Sequence, residues 1–367
     1  MRKICFFSGD ITRGGGTESV AVLLANALAE QGRYEILFLS LTEQRESPYF
    51  TISPEIARYH LAEKWIQPGP GYLAVLPGLK RFLREQGVDI LVDIDIVLDI
   101  LSVPVRRAGG VRVISWGHFS YYFEQEILYR RLILKTATKR ADYCVTINEE
   151  NRRCYERFLR RRRAVRTIYN PAVTEERRES VPKEKYIFWV GRLTEIKGID
   201  CLAETAERVL RALPDWKWLV AGDGGEREWL ECYRRDHGLE DRLVLLGRVE
   251  DLWRYYEAAE IYVLTSRSEG LPMCLLEAKS HSLPCVSFDV RTGPNEIIRD
   301  GVNGYLVEPC DCGRLADKII GLAEDEALRR EFARNASLDM EKFELKRILD
   351  SWNEVFESLC EGEKGSE

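Results

Sequence analysis

The sequence of 367 residues contains no apolar run that approaches the roughly 18 residues needed to cross a bilayer. It also lacks a C-x-x-C pair, because its ten cysteines are scattered along the chain. The start, MRKICFFSGD, leads directly into a strand-like segment, without the apolar core and small-residue cleavage site of a signal peptide. These absences predict a soluble, cytoplasmic protein whose cysteines are reduced and mostly buried.

An excess of positive charge is also missing. The formal net charge is −6, which argues against a dedicated nucleic-acid binder, although local basic clusters are possible. Hydrophobic residues make up 45% and charged residues 31% of the chain, enough to fill the cores of a globular protein. At about 150 residues per domain, the length predicts two domains.

Short β-branched runs alternate with longer helical patterns in two successive rounds. The first round predicts strands at Ile4–Ser8, Glu35–Leu41, Ile90–Ile94, Arg112–Trp116, Tyr143–Ile147 and Thr167–Tyr169. The second predicts Tyr186–Gly191, Trp218–Ala221, Leu243–Leu246, Ile261–Thr265, Cys285–Phe288 and Tyr305–Val307. Strands that are apolar on both faces and separated by helices indicate parallel sheets covered on both sides.

This alternation predicts an α/β protein with two doubly wound, Rossmann-like domains that face each other across a cleft. We expect the first domain over residues 1–170 and the second over 171–345. Residues 346–367 are expected to form a helix that returns to the first domain and ends in a polar tail.

The strand ends of the second half carry glycines and cations. Because ligands of such sheets bind beyond the carboxyl ends of the strands, these loops are the candidate site. Arg192 and Lys197 follow the first strand and can grip a diphosphate, arginine as a fork and lysine as a point charge. Gly222 lies in a tight turn after the next strand, and Arg248 and Val249 follow the third.

In the first half, a loop with three successive glycines includes Gly15 and Gly16 and precedes a helix. Unobstructed amides beside a helix N-terminus favour an anion, although a flexible turn is the alternative interpretation.

The fourth strand of the second half leads into SRSEGLPMCLLEAKSHSLPCVSF, which places Glu269 and Glu277 on either side of an apolar half-turn. The cation nearest to Glu277 in sequence is Lys279. Pro272 suits the first turn of a helix, and the amides that follow favour a phosphate. Those amides belong to Met273, Cys274 and Leu275. Each carboxylate can accept two hydrogen bonds from a sugar diol, whereas a glutamate that merely favours the helix dipole is the alternative.

These features together resemble a known family. Two glutamates separated by seven residues, the Arg192/Lys197-Gly198 pair and Gly15-Gly16-Thr17-Glu18 resemble the retaining glycosyltransferases of GT-B fold, the family-four group. The later stretches TGPNEII and GVNGYLV are similar to bacterial members that build capsular, exopolysaccharide or lipid-linked glycans. The resemblance covers nearly the whole chain and is most specific from Gly191 to Val307.

The resemblance implies a role for each candidate residue in the second half. Arg192 and Lys197 would bind the donor diphosphate. Glu277 would hold the ribose hydroxyls, and Glu269 would contact the donor hexose near the reacting carbon. The loop at Arg248 and Val249 would meet the base, with Gly222 close by. The helix start at residues 273–275 completes the implied donor site.

In the first half, the resemblance implies that Gly15 and Gly16 approach the donor phosphates from the opposite domain. His118 matches a position near the donor sugar and is a candidate catalytic residue, with a structural histidine as the alternative. The implied reaction moves a hexose or N-acetylhexosamine from a UDP-sugar to an acceptor hydroxyl of a lipid-linked or polysaccharide glycan, with retention of configuration. It would need no metal ion and no cofactor, because fixed cations can stabilise the departing diphosphate.

Three alternatives stay open from the sequence. Asp93-Ile94-Asp95 resembles the metal-binding Asp-x-Asp of the other large glycosyltransferase fold, although a hard cation needs several convergent oxygen ligands. A nucleotide-sugar epimerase can share the fold, but no matching acid/base constellation is evident. A non-catalytic partner in a glycan-assembly complex would be expected to lose Glu269, Arg192 or Lys197, which are all present.

Two basic segments interrupt the acidic chain. One contains Arg160, Arg161, Arg162 and Arg163, and the other runs from Tyr129 to Lys135 and on to Arg140. Both carry apolar residues, so they predict that the first domain docks on the anionic inner face of the cell membrane. Solvated helix faces with partly offset charge are the alternative.

Overall fold

A computed structural model describes residues 1–64, 66, 70–159, 165–172 and 181–361. The chain divides into two units, Met1–Pro171 together with Leu345–Glu367, and Ala172–Glu344. The predicted divisions lie after residues 170 and 345. None of the helices in the described ranges combines the length and apolarity that crossing a membrane requires.

The first unit is built on seven parallel strands in the order β3-β2-β1-β4-β5-β6-β7. The strands are β1 (Arg2–Ser8), β2 (Tyr34–Ser40), β3 (Ala57–His60), β4 (Ile90–Asp93), β5 (Arg112–Gly117), β6 (Tyr143–Thr146) and β7 (Val165–Thr167). The helices are α1 (Gly16–Glu30), α2 (Pro70–Ala74), α3 (Leu76–Gln86), α4 (Asp99–Gly109), α5 (Tyr121–Glu126), α6 (Leu128–Thr136), α7 (Glu149–Phe158) and α15 (Leu345–Glu361).

The second unit has six parallel strands in the order β10-β9-β8-β11-β12-β13. They are β8 (Tyr186–Val190), β9 (Lys217–Ala221), β10 (Leu243–Gly247), β11 (Ile261–Leu264), β12 (Cys285–Phe288) and β13 (Gly304–Val307). The helices are α8 (Ile199–Ala212), α9 (Arg227–Asp236), α10 (Trp253–Ala258), α11 (Met273–Ser280), α12 (Pro294–Ile297), α13 (Cys312–Glu324) and α14 (Glu326–Arg334). Short 3₁₀ helices lie at Ile96–Leu98, Thr138–Arg140, Glu195–Lys197, Asn335–Ser337 and Met340–Phe343.

Two parallel sheets flanked by helices confirm the predicted pair of Rossmann-like domains. The prediction missed β3, whose sequence ARYH is polar and only partly buried because it forms the edge of its sheet. The last strand of the first sheet begins at Val165, two residues before the predicted start.

The C-terminal helix α15 packs on the first unit. Its buried residues Ile348, Trp352 and Val355 recur at the helical spacing of one face. The ring centroids of Trp352 and Trp116 are 5.0 Å apart in an edge-on arrangement, and Glu354 Oε2 pairs with Arg166 Nη1 at 2.6 Å. The helix therefore belongs to the core of the unit that carries the first strands.

Candidate active site

The second sheet has its topological switch point between β8 and β11, the two strands from which the strand order proceeds outward in opposite directions. In open parallel sheets this crevice, beyond the carboxyl ends of the strands, is the usual ligand site. Lys197 lies in the loop that follows β8, and Glu269 lies in the loop that follows β11. The fold thus brings two predicted site residues, 72 positions apart, to adjacent strand ends.

Lys197 and Glu269 form an ion pair at this point. Lys197 Nζ lies 2.6 Å from Glu269 Oε1, and the two side chains are only 23% and 9% exposed. Burial lowers the pKa of Lys197, but the Glu269 carboxylate and Cys274 together outweigh it, so the pKa is raised above its ordinary value. The lysine is therefore a fixed positive charge at neutral pH. Its pairing with Glu269 was not foreseen from the sequence, because the two residues lie 72 positions apart.

A close approach between the two loops holds Lys197 in place. Gly198 has a φ of +65°, and a Cβ there would lie 2.1 Å from the Thr265 carbonyl oxygen, so this position requires glycine. Thr265 Oγ1 in turn donates to the Lys197 carbonyl at 2.9 Å. The backbone directly after the lysine Cα is thereby held against Thr265, at the end of β11.

The Glu269 loop is supported from a third strand end. Thr292, after β12, donates its hydroxyl to the Glu269 carbonyl. A Cβ on Gly293 would lie 2.7 Å from Pro272 Cδ and 3.0 Å from the Gly270 carbonyl, so this glycine also permits a close backbone approach. Thr292 and Gly293 belong to the TGPNEII stretch quoted above, which could have indicated a supporting role.

Gly222 joins the loops after β8, β9 and β10. Its φ is +137°, and a Cβ there would lie 1.8 Å from the Gly191 carbonyl oxygen. The Gly222 amide donates to the Gly247 carbonyl at 2.7 Å, and the Gly191 amide donates to Ala221 at 3.0 Å. Because no side chain fits at Gly222, this residue lets the three loops approach one another closely and can contact a ligand only through its main chain. We call the edge formed by the carboxyl ends of these strands and their loops the rim.

The remaining cations of the rim are exposed. Arg192 follows β8, and its side chain makes no hydrogen bond or ion pair with another described residue, although its charge acts to lower the pKa of Lys197. Arg248 is exposed and Val249 is half-buried after β10, the edge strand, with β9 between them and β8. Arg192 is therefore adjacent to the ion pair, whereas Arg248 lies further along the rim.

The start of α11 differs from the prediction in two details. Pro272 is the N-cap of the helix, with φ −73° and ψ 106°, rather than its first helical residue. The Leu275 amide donates to the Pro272 carbonyl at 3.0 Å and the Leu275 side chain is fully buried, so the expected open amide does not hold there. Met273 and Cys274 are half-buried in the first turn, where amides lack an acceptor within the helix.

Glu277 lies one turn into α11 and contacts a residue that the sequence did not single out. The hydroxyl of Tyr256, on α10, donates to Glu277 Oε2 at 2.7 Å. The same hydroxyl lies 3.4 Å from the Cys274 carbonyl oxygen. The second glutamate is thus held by a buried tyrosine, whereas the first is held by a lysine.

In the first unit, the switch point lies between β1 and β4, and the glycine loop follows β1. Gly15 is the N-cap of α1, and a Cβ on it would lie 2.3 Å from Glu18 Oε2. Gly16 opens the helix with no atom near the position of a Cβ. The Glu18 carboxylate therefore folds back against the helix start, where the sequence predicted an open anion site. Burial raises the pKa of Glu18.

His118 follows β5 and is buried beside Trp116, with ring centroids 4.2 Å apart. Its Nε2 has no hydrogen-bond partner among the described residues. Burial lowers the pKa of His118 to about 3, so the imidazole is neutral over the physiological range. A neutral imidazole can donate one hydrogen bond and accept another, but it cannot supply a positive charge to a phosphate.

Asp93 and Asp95 have separate protein partners. Asp93 is fully buried at the end of β4 and accepts a hydrogen bond from Ser102. Asp95 caps a 3₁₀ helix by accepting from the Val97 amide at 3.1 Å. The part of the chain that the structure describes contains no cluster of three or more His, Cys, Asp or Glu side chains suited to a metal ion.

Arg130 also has internal partners, which removes it from the predicted basic surface. It pairs with the buried Glu124 and, at 2.7 Å, with Asp95, and its guanidinium carbon lies 4.8 Å from the Phe119 ring centroid. Burial raises the pKa of Glu124 to about 7, against the opposing charge of Arg130.

Two models of known protein families match this chain. The model of glycosyl transferases group 1 matches residues 173–339, and that of glycosyltransferase family 4 matches residues 14–176. This chain belongs to the family-four glycosyltransferases.

The relatives and the solved structure that follow match nearly the full length of this glycosyltransferase. An uncharacterized glycosyltransferase of Haemophilus influenzae is 28% identical over 97% of this chain and 100% of its own. A Campylobacter jejuni α-1,4-N-acetyl-D-galactosaminyltransferase that acts on an undecaprenol-linked glycan is 26% identical over 96% and 97%. Among solved structures, the G117R mutant of S. aureus TarM in complex with fondaparinux, α-GlcNAc-glycerol and UDP has a TM-score of 0.80 at 16% identity, over 97% of this chain and 100% of the chain in that structure.

These likenesses confirm the GT-B fold class predicted from the sequence. They also support glycosyltransferase activity over the epimerase and non-catalytic alternatives.

Proposed function

We propose that this enzyme transfers a hexose or N-acetylhexosamine from a UDP-sugar to a hydroxyl of a lipid-linked or polysaccharide glycan, with retention of configuration. The observation that carries the proposal is the Lys197–Glu269 ion pair at the switch point of the second sheet. The UDP bound to TarM and the undecaprenol-linked acceptor of the C. jejuni relative support the choice of donor and acceptor.

The departing diphosphate is the group that needs the most stabilisation. Negative charge develops on it as the glycosidic bond breaks, and preorganised positive groups supply the largest share of such stabilisation. Lys197 is half-buried and charged, Arg192 lies on the same loop, and the Met273 and Cys274 amides lie in the first turn of α11. In the proposed site these groups bind the diphosphate without a metal ion.

The two glutamates contact different parts of the donor, the transferred sugar and the ribose. Glu269 lies next to Lys197 and contacts the donor sugar near its anomeric carbon, where an oxocarbenium-like positive charge develops. Glu277, one turn into α11, accepts hydrogen bonds from the ribose hydroxyls. A diphosphate oxygen serves as the base for the acceptor hydroxyl, so no further side-chain base is required. The remaining predicted roles form part of the proposal. The nucleotide base is contacted at Arg248 and Val249, His118 lies near the donor sugar, and the donor phosphates are approached by Gly15 and Gly16.

Product analysis tests this function. We expect the enzyme to release UDP from UDP-sugars, but no GDP from GDP-sugars, in the presence of lipid-linked acceptors. NMR of the product should show the anomeric configuration of the donor, and EDTA should leave the rate unchanged. An inverted product would contradict retention, and release from GDP-sugars alone would contradict the donor. Loss of activity on chelation, restored by manganese, would contradict metal independence.

We also propose that the first unit docks on an anionic membrane through an exposed face of α6. Leu128, Tyr129 and Leu132 are 61%, 48% and 54% exposed, although they are large and apolar. Arg131 and Lys135 are exposed beside them. At 100° per residue, these five side chains share one side of the helix, with the buried residues on the other. Arg160, Arg161, Arg162 and Arg163 lie outside the described residues.

A basic rim around apolar side chains is the arrangement that settles at lipid headgroups. Each cation near an anionic leaflet contributes about 1 kcal/mol, so changing Arg131 and Lys135 to Gln should weaken binding to phosphatidylglycerol vesicles by roughly tenfold or more. Changing Lys346 and Arg347, two exposed cations of α15, to Gln makes the same charge change elsewhere and should have a smaller effect. Co-sedimentation at low and high salt measures both variants. Equal binding by wild type and the α6 variant would contradict this docking face.

A further inference from the structure

The hydrogen bond between Tyr256 and Glu277 connects the candidate ribose site to an unusually well-fixed side chain. Tyr256 is 2% exposed, and its hydroxyl lies 2.7 Å from Glu277 Oε2. Burial and the neighbouring Glu277 charge raise the pKa of Tyr256 well above its ordinary value. The phenol is therefore protonated at neutral pH and can only donate to the carboxylate.

Three aromatic neighbours fix the Tyr256 ring. It lies parallel to the His281 ring, with centroids 5.3 Å apart and an interplanar angle of 3°. Phe188, on β8, meets it edge-on at 5.0 Å, and Tyr262, on β11, lies 5.9 Å away. The ring is thus anchored to both strands of the switch point, so the position of its hydroxyl is set by the core.

His281 is itself held by a carboxylate of α10. Its Nδ1 lies 2.7 Å from Glu257 Oε1, and it follows the last residue of α11. Glu257, His281, Tyr256 and Glu277 form a continuous series of contacts between α10 and α11. Such a series restricts the rotamers of the Glu277 carboxylate.

We propose that Tyr256 is a positioning residue, which orients the Glu277 carboxylate for the ribose hydroxyls of the donor nucleotide. The inference rests on the proposed function, because it takes Glu277 as the ribose contact. A carboxylate has about four lone-pair sites, so accepting from Tyr256 leaves capacity for a diol. The Tyr256 hydroxyl holds Glu277 Oε2 against the protein and thereby fixes the orientation of Oε1.

Removing one oxygen atom tests this role. Tyr256→Phe keeps the ring and its packing but removes the hydrogen bond from Tyr256 to Glu277. We expect the Kd for UDP, measured by calorimetry, to rise about tenfold. In steady-state assays the donor KM should rise while kcat at saturating donor is unchanged, since the reacting carbon is contacted elsewhere. A purely structural role would not produce that split.

Tyr262→Phe is the matched control. Tyr262 is also fully buried and packs on the same rings, but its hydroxyl donates to no described carboxylate. We expect this variant to keep the wild-type UDP affinity. Thermal unfolding of both variants separates an effect on Glu277 from a general loss of core stability.

Comparing the Kd of UDP with that of 2′-deoxy-UDP tests whether Tyr256 acts through the contact between Glu277 and the ribose 2′-hydroxyl. Wild type should prefer UDP, whereas Tyr256→Phe and Glu277→Gln should both lose most of that preference. The double variant should bind UDP no more weakly than Glu277→Gln alone, because both changes act on the same contact.

Each contrary outcome has a distinct meaning. A Tyr256→Phe variant that keeps the full preference for UDP, while Glu277→Gln loses it, would overturn the role of Tyr256 alone. Additive losses in the double variant would also overturn it. A wild-type enzyme that binds UDP and 2′-deoxy-UDP equally would overturn the ribose assignment of Glu277. Failure to bind UDP, ADP or GDP at all would overturn the proposed function, and this inference with it.

Discussion

Replacing Lys197 with alanine should lower kcat/KM by about 30- to 1,000-fold, which corresponds to about 2–4 kcal/mol for a desolvated contact to the diphosphate. Two effects act in the same direction. The variant loses the positive charge that would stabilise the leaving group, and it leaves the buried Glu269 carboxylate without its partner. An unpaired carboxylate beside the diphosphate would then repel it. Calorimetry measures the loss of UDP affinity, and steady-state kinetics measures the fall in kcat/KM.

Lys185→Ala is the matched control for this prediction. Lys185 also forms an ion pair, with Asp215 at 3.2 Å, but it precedes β8 and therefore lies at the opposite end of the same strand. It should keep the wild-type affinity for UDP. Arg192→Ala should also weaken UDP binding, to a smaller extent because its side chain is exposed. Unchanged UDP affinity in Lys197→Ala would remove the lysine from the donor site.

Replacing Glu269 with glutamine should reduce kcat by about 100-fold and change KM much less. The amide has the size of the carboxylate but no charge, so it cannot favour the positive charge that develops at the anomeric carbon. The substitution also removes the ion pair that holds Lys197 and leaves at most an uncharged hydrogen bond. Because the two residues touch, the double variant Lys197→Ala/Glu269→Gln should be less impaired than the sum of the single losses predicts.

Glu277→Gln separates the two glutamates, because the proposed ribose contact should affect donor KM and leave kcat nearly unchanged. Initial rates at varied UDP-sugar concentration give both parameters for each variant. Wild-type kinetics in Glu269→Gln, or a rise in KM alone, would show that this carboxylate does not act at the reacting carbon.

The secondary structure could largely be predicted because it depends on local patterns. Runs such as Ile4–Ser8 and Cys285–Phe288 are apolar on both faces, which is typical of a strand inside a covered parallel sheet. The strand β3 was missed since an edge strand with one neighbour needs no such run. Pro272 was placed at the first helical residue instead of the N-cap because both positions tolerate a missing amide hydrogen.

The sequence by itself determined two alternating α/β rounds, the glycines that permit close backbone approach, and the spacing of Glu269 and Glu277 along one loop and helix. These depend on residues near one another in the chain. Only the tertiary structure decided that Lys197 pairs with Glu269 and that Tyr256 donates to Glu277. It also decided the burial of Arg130 beside Glu124. The physical reason is strand order: β11 pairs with β8, not with its predecessor β10, so the neighbour of a strand end comes from a distant part of the sequence.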